Sequence, residues 1–140
     1  MMKPKRLFST SVVGSMPRSD FVKDLLASRD ELDPEDYQNR MDSAVRYVLM
    51  LQEQAGLDVV TDGEWRRKSY IGVIAELAHG FELSTNPADG RPWTIVTDRL
   101  APKHAGFIAA EVEFVKQLTN REIKATIPAP ALLGERMWDA

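Results

Sequence analysis

Apolar residues along this chain recur in two rhythms, short β-branched runs and longer stretches at helical spacing. Residues 7–13 (LFSTSVV) form one such run, stopped by Gly14, Ser15, Met16 and Pro17, which is the pattern of a short buried strand. Ser19 and Asp20 then offer caps for a short helix carrying Phe21, Val22, Leu25 and Leu26 on one face. A stronger helix start follows at Asp33: its carboxylate can cap, Pro34 suits the first helical position, and Glu35 and Asp36 favour the positive end of the dipole. Tyr37, Met41, Ala44, Val45, Val48 and Leu51 recur at steps of three and four until Gly56 supplies a stop, predicting an amphipathic helix of about six turns.

Residues 57–61 (LDVVT) predict a second strand ending at Asp62, Gly63 and Glu64, so strand, helix and strand make a βαβ unit. Residues 68–78 predict a helix closed by Gly80. The stretch 81–106 breaks the pattern, with turn chemistry at 86–92 (NPADGRP) between two extended segments, and predicts an inserted hairpin-like excursion. Helical spacing returns over 107–118, a third strand is predicted over 123–127 before Pro128, Ala129 and Pro130, and a last helix begins near Ala131. Three β/α units in 140 residues fit either a small doubly wound sheet or part of a (β/α)8 barrel, which takes about 250 residues. A three-stranded parallel sheet would leave open edges. The expectation is therefore an α/β fold of TIM-barrel type, incomplete, with residues 1–140 as one amino-terminal segment.

Composition narrows the function classes. A chain that is 44% hydrophobic and 28% charged is that of a globular protein, and a net charge of -3 gives no basic footprint for nucleic acid. The basic start resembles a signal peptide only superficially, because Ser9, Thr10 and Ser11 interrupt the apolar run and Pro17 ends it short of a membrane span; a cytoplasmic protein is expected. With no cysteine, disulfides and thiolate metal sites within the chain are excluded, and His79 and His104 stand in no ligand spacing.

In parallel α/β folds ligands meet the carboxyl ends of strands. Gly14 admits a ligand close to the backbone, and the N–H and hydroxyl of Ser15 can hold a carboxylate or phosphate; a plain strand-ending turn is the alternative. Asp62 and Glu64 place two carboxylates on one side if the backbone stays extended, able to capture an ammonium or move a proton. With Arg66 and Arg67 adjacent, a solvated ion-pair cluster is the alternative, and Trp65 can pack or stack.

Taken together, residues 12–18 (VVGSMPR), 51–67 (LQEQAGLDVVTDGEWRR) and 124–130 (KATIPAP) resemble, in order, the catalytic barrel of cobalamin-independent methionine synthase and its shorter relatives. The last block is similar to the family's K-x-x-x-P-G-P, with Ala129 in place of glycine. The resemblance implies a (β/α)8 barrel that transfers a methyl or alkyl group to a thiol activated by zinc. It implies that Val13, Gly14 and Ser15 contact homocysteine and that Glu64 binds its amino group, one zwitterion clamp. It also implies zinc ligands (a His, cysteines and often a Glu) on strands later than any in this chain, so the chain is expected to hold no metal ligand and no catalytic group. A folate stretch is not recognisable in residues 87–93. The implied function is that of a 5-methyltetrahydropteroyltriglutamate–homocysteine S-methyltransferase in methionine biosynthesis. Alternatives are a non-catalytic split segment, or an alkyltransferase for another thiol such as coenzyme M. Open edges make a complementary barrel chain or self-association the expected partner, beside the small thiol, with no nucleic acid and no membrane.

Overall fold

The computed structural model describes residues 7–69, 72–85, 90, 92–131 and 134. Its elements are α1 (Asp20–Ala27), α2 (Pro34–Gln54), β1 (Val59–Val60), α3 (Gly72–Leu77), β2 (Ala78–Thr85), β3 (Pro92–Pro102), α4 (Phe107–Lys116) and β4 (Glu122–Ile123). They group into two compact units, Met1–Arg66 with Ile108–Thr126, and Arg67–Phe107 with Ile127–Ala140.

The first unit is organised by α2. Asp33 caps it as expected, accepting from the Glu35 and Asp36 amides at 2.9 and 3.2 Å, with Pro34 in the first turn. Positions three and four apart then face two cores. Met41, Ala44 and Val48 pack with Val22, Leu25 and Leu26 of α1 and with Trp65. Val45 and Leu49 pack with Val60 and with Val115 of α4. Complete burial of a valine or methionine side chain contributes roughly 1.5–3 kcal/mol before entropy is counted, so this doubly buried helix dominates the unit. Leu51, placed on the apolar face by its spacing, is instead partly exposed, and Gln52 takes the buried position.

The strands are shorter than the apolar runs imply. β1 pairs with β4 in parallel, Val59 opposite Glu122 and Val60 opposite Ile123, and the Lys124 amide extends the ladder to the Val60 carbonyl at 2.9 Å. The third strand thus begins at Glu122 and does not continue to Ile127. Residues 7–13 are not a buried strand: Leu7, Phe8 and Val13 are exposed. A strand in a parallel sheet is buried only when elements cover it, and here the segment is tied to the β1 edge and to the Lys124 side chain while its apolar side chains stay exposed. The Thr10 carbonyl accepts from the Asp58 and Val59 amides at 3.2 and 3.0 Å, and the Asp58 carboxylate accepts from the Thr10 amide and hydroxyl.

In the second unit the excursion is an antiparallel hairpin. β2 pairs with β3 from Ala78 opposite Pro102 to Thr85 opposite Pro92, with a bulge between His79 and Phe81. At Gly80 a Cβ would lie 2.7 Å from the Asp98 carbonyl oxygen and φ is +90°, so only glycine fits where the strands close up. The helix expected over 68–78 is the shorter α3, because Ala78 already belongs to β2. Residues 86–89 and 91, and most of the helix expected after Ala131, lie outside the described residues.

Candidate functional site

The strand β1 ends in a turn built by its own side chains. Gln52 of α2 is 1% exposed, and its carboxamide brackets Thr61: Oε1 accepts from the Thr61 amide at 3.0 Å, and Nε2 donates to the Thr61 carbonyl at 2.8 Å. The Thr61 hydroxyl accepts from the Gly63 amide at 2.9 Å, and Asp62 Oδ1 accepts from the Glu64 amide at 3.0 Å. Gly63 and Glu64 both take left-handed backbone, φ 71° and 57°. That conformation costs a non-glycine residue roughly 1 kcal/mol, and hydrogen bonds to the carbonyls of Gly63 and Glu64 hold it there. Arg18 Nη2 donates to the Glu64 carbonyl at 2.8 Å, and the Met16 amide donates to the Gly63 carbonyl at 3.1 Å.

Glu64 is consequently buried, at 2% exposure. The Ser15 hydroxyl donates to its Oε2 at 2.7 Å, across 49 positions of sequence. Its Oε1, like Asp62 Oδ2, is buried with no hydrogen-bond partner among the described residues. A buried carboxylate oxygen without a donor is costly and reads as a place for a cationic donor. Gly14, φ 73°, is exposed, and nothing lies within 4 Å of where its Cβ would be. Val13 is 93% exposed. The structure therefore brings Ser15 onto Glu64 and leaves open space over Gly14, while Val13 takes no part in the contact.

Two expectations are corrected. Asp62 and Glu64 do not lie on one side of an extended strand, because the backbone turns left-handed at Gly63. Nor do Arg66 and Arg67 form a solvated cluster: they are 9% and 2% exposed. Arg66 bonds Asp42 at 2.6 Å, and its guanidinium lies 4.8 Å from the Phe114 ring centre, which Arg46 also approaches. Trp65 is a packing residue, buried in the α1–α2 core with its ring nitrogen donating to the Met16 carbonyl at 3.2 Å.

Sequence reasoning missed three positioning contacts. Gln52 signals itself only as a polar residue at a buried-face spacing of α2. Lys124, noted as part of a motif, reaches back to the first segment, donating to Ser11 Oγ at 2.9 Å and to the Val12 carbonyl, just ahead of Gly14. Arg18 carried no signal beyond its place after Pro17.

The family model for the cobalamin-independent synthase catalytic domain matches residues 8–137. The chain belongs to that family. All three blocks that carry the resemblance lie within the match. Among relatives of the synthase family, the 5-methyltetrahydropteroyltriglutamate–homocysteine methyltransferase of Trichodesmium erythraeum is 30% identical over 135 residues, covering 90% of this chain and 18% of that protein. The methionine synthase of Sulfolobus acidocaldarius is 28% identical over 139 residues, covering 92% of this chain and 40% of that one. A B12-independent methionine synthase from Shewanella, solved in complex with selenomethionine, superposes with a TM-score of 0.76 at 23% identity, over 96% of this chain and 41% of that chain. That likeness establishes the α/β fold. This chain spans less than half the length of each of these proteins.

The zinc that the synthase resemblance implies needs nitrogen, sulfur or carboxylate donors that converge. The chain has no cysteine, His79 and His104 are exposed, and no three His, Asp or Glu side chains converge among the described residues. This donor set does not fit such a metal. No helix among the described residues is long and apolar enough to cross a membrane.

Proposed function

We propose that this chain is the homocysteine-holding front of a (β/α)8 methyltransferase barrel, residues 1–140 supplying its first three β/α units with a hairpin inserted between the second and third. The carrying observation is the Ser15–Glu64 bond: one carboxylate oxygen is fixed by a hydroxyl at 2.7 Å, and the other is buried with no hydrogen-bond partner among the described residues. The amino group of homocysteine or methionine takes Glu64 Oε1, a charge-assisted bond in a site shielded from water. The amino-acid carboxylate lies over Gly14 against the backbone and hydroxyl of Ser15, where no Cβ intrudes. Val13 lines the exposed rim of the same site.

The role of these residues is to bind and orient the thiol amino acid. Methyl transfer, with a methyl-folate donor of the kind that the Trichodesmium relative's name states, belongs to a cytoplasmic assembly with further donors for zinc. A complementary barrel segment or a second copy of this chain supplies the cover that residues 7–13 lack. A thiol without an amine, such as coenzyme M, is the second reading, and the unpaired Glu64 oxygen argues against it.

Isothermal calorimetry tests the proposal directly. L-homocysteine and L-methionine should bind the chain, and Glu64→Gln, which keeps an acceptor for Ser15 and loses the charge, should weaken both by about tenfold or more. Equal binding by the variant, or tighter binding of coenzyme M than of methionine, would sink the reading.

A further inference from the structure

We infer that Lys124 is a positioning residue for the ligand site, holding the Gly14–Ser15 side against the Glu64 turn and so setting how tightly an amino acid binds. This rests on the amino-acid reading of the Ser15–Glu64 site and deepens it. The two sides of the site arrive on separate segments, and Lys124 grips both. Its amide donates to the Val60 carbonyl at 2.9 Å, directly ahead of Thr61, where the turn begins. Its ammonium donates to Ser11 Oγ at 2.9 Å and to the Val12 carbonyl, just ahead of Val13 and Gly14. The Ser11 hydroxyl donates to that same carbonyl at 3.2 Å.

The first segment needs this grip. The Thr10 carbonyl is fixed on β1 by the Asp58 and Val59 amides, and the Met16 amide is fixed on the Gly63 carbonyl. Among the described residues no backbone hydrogen bond holds positions 11–15 between them, and Val13, Gly14 and Ser15 are exposed. Side chains order this span instead: Lys124 near its start, and Ser15, bonded to Glu64 Oε2, at its end. A ligand that settles on a loose span loses affinity to the entropy of ordering it, and a span fixed beforehand avoids that loss. Lysine suits the task, because three N–H donors on a long stem can take a hydroxyl and a carbonyl at once. A lysine that served only solubility would keep its rotamer freedom in water.

Calorimetry with L-methionine and amide hydrogen exchange test this on the whole chain, with Lys124→Met and Lys124→Arg. The first variant keeps an apolar stem and the backbone bond to Val60 but has no N–H donor on its side chain; the second restores donors and charge. Lys124→Met should bind L-methionine about tenfold more weakly, the equivalent of one charge-assisted hydrogen bond, and Lys124→Arg should recover most of that loss. Without ligand, exchange at the Met16 amide should quicken in Lys124→Met, while the amide of position 124, bonded to Val60, stays protected. Methionine binding at wild-type strength by Lys124→Met overturns the inference, and so does equally weak binding by Lys124→Arg. Exchange that quickens equally at position 124 also overturns it, because that marks a purely structural residue. If Glu64→Gln loses methionine while Lys124→Met does not, only the role of Lys124 fails. If wild-type protein binds no methionine, the amino-acid reading fails, and exchange at Met16 alone decides whether Lys124 braces the span.

Discussion

Replacing Gln52 by leucine asks how far the turn that carries Glu64 depends on one buried side chain. Leucine has similar size and equal helix propensity, so α2 itself should survive. The substitution removes the acceptor of the Thr61 amide and the donor to the Thr61 carbonyl, bonds of 3.0 and 2.8 Å at a residue 3% exposed. Each backbone group orphaned there costs about 1–3 kcal/mol. Added apolar burial returns roughly 1 kcal/mol. The net expectation is a loss of about 1–5 kcal/mol, read as a lower urea midpoint by circular dichroism with an unchanged slope. Hydrogen exchange should also quicken at the Gly63 and Glu64 amides, which are bonded to Thr61 Oγ1 and Asp62 Oδ1. A midpoint shift worth less than about 0.5 kcal/mol, the level of a neutral surface change, would refute the bracing role.

Gly63→Ala should destabilise the first unit by about 1–2 kcal/mol, since φ is 71° and the added Cβ would meet Val48 at 3.1 Å and Trp65 at 3.3 Å; a neutral urea midpoint would contradict that geometry. The exposed Asp20–Lys23 pair, 2.8 Å apart, holds the Asp20 carboxyl below its ordinary value, through the Lys23 hydrogen bond first and its charge second, and raises Lys23 by the same causes. The Asp20 contribution is present above its unfolded pKa and fades as pH falls through the lower folded value, while that of Lys23 is present below its unfolded value and fades as pH rises through the higher folded one. NMR titration of Lys23→Ala should return Asp20 upward, and salt should mimic the substitution; an unmoved Asp20 would deny the pairing. Leu7, Phe8 and Val13 are exposed apolar side chains on the segment beside the β1–β4 sheet, so the chain should self-associate in sedimentation velocity, and a monodisperse monomer would count against unfilled edges.

The legible parts of the fold were those fixed by near neighbours. α2 carries its own cap at Asp33, its own proline and its own apolar spacing, and none of these needs the rest of the chain. The hairpin announced itself through turn residues between extended segments. Residues 7–13 misled because an apolar run records a demand for cover, and whether cover exists depends on distant elements. Residues 123–127 failed likewise, since a parallel ladder lasts only as long as its partner, and β1 is two residues long. At the site, Gly14, Ser15 and Glu64 were readable as residue types at strand ends. The left-handed turn at Glu64 was not, because it is imposed by Asp62 and by Arg18 from 46 positions away. Arg66 looked solvated in sequence because Asp42 and Phe114, which bury it, lie far along the chain.

The clamp depends on where an amino acid's nitrogen sits. A crystal structure of the chain with selenomethionine, located by anomalous scattering from its selenium, decides this. The ligand's nitrogen should lie within hydrogen-bond distance of Glu64 Oε1, with its carboxylate over Gly14 and Ser15. A selenium bound elsewhere, or a carboxylate in place of the nitrogen at Glu64, would contradict the clamp.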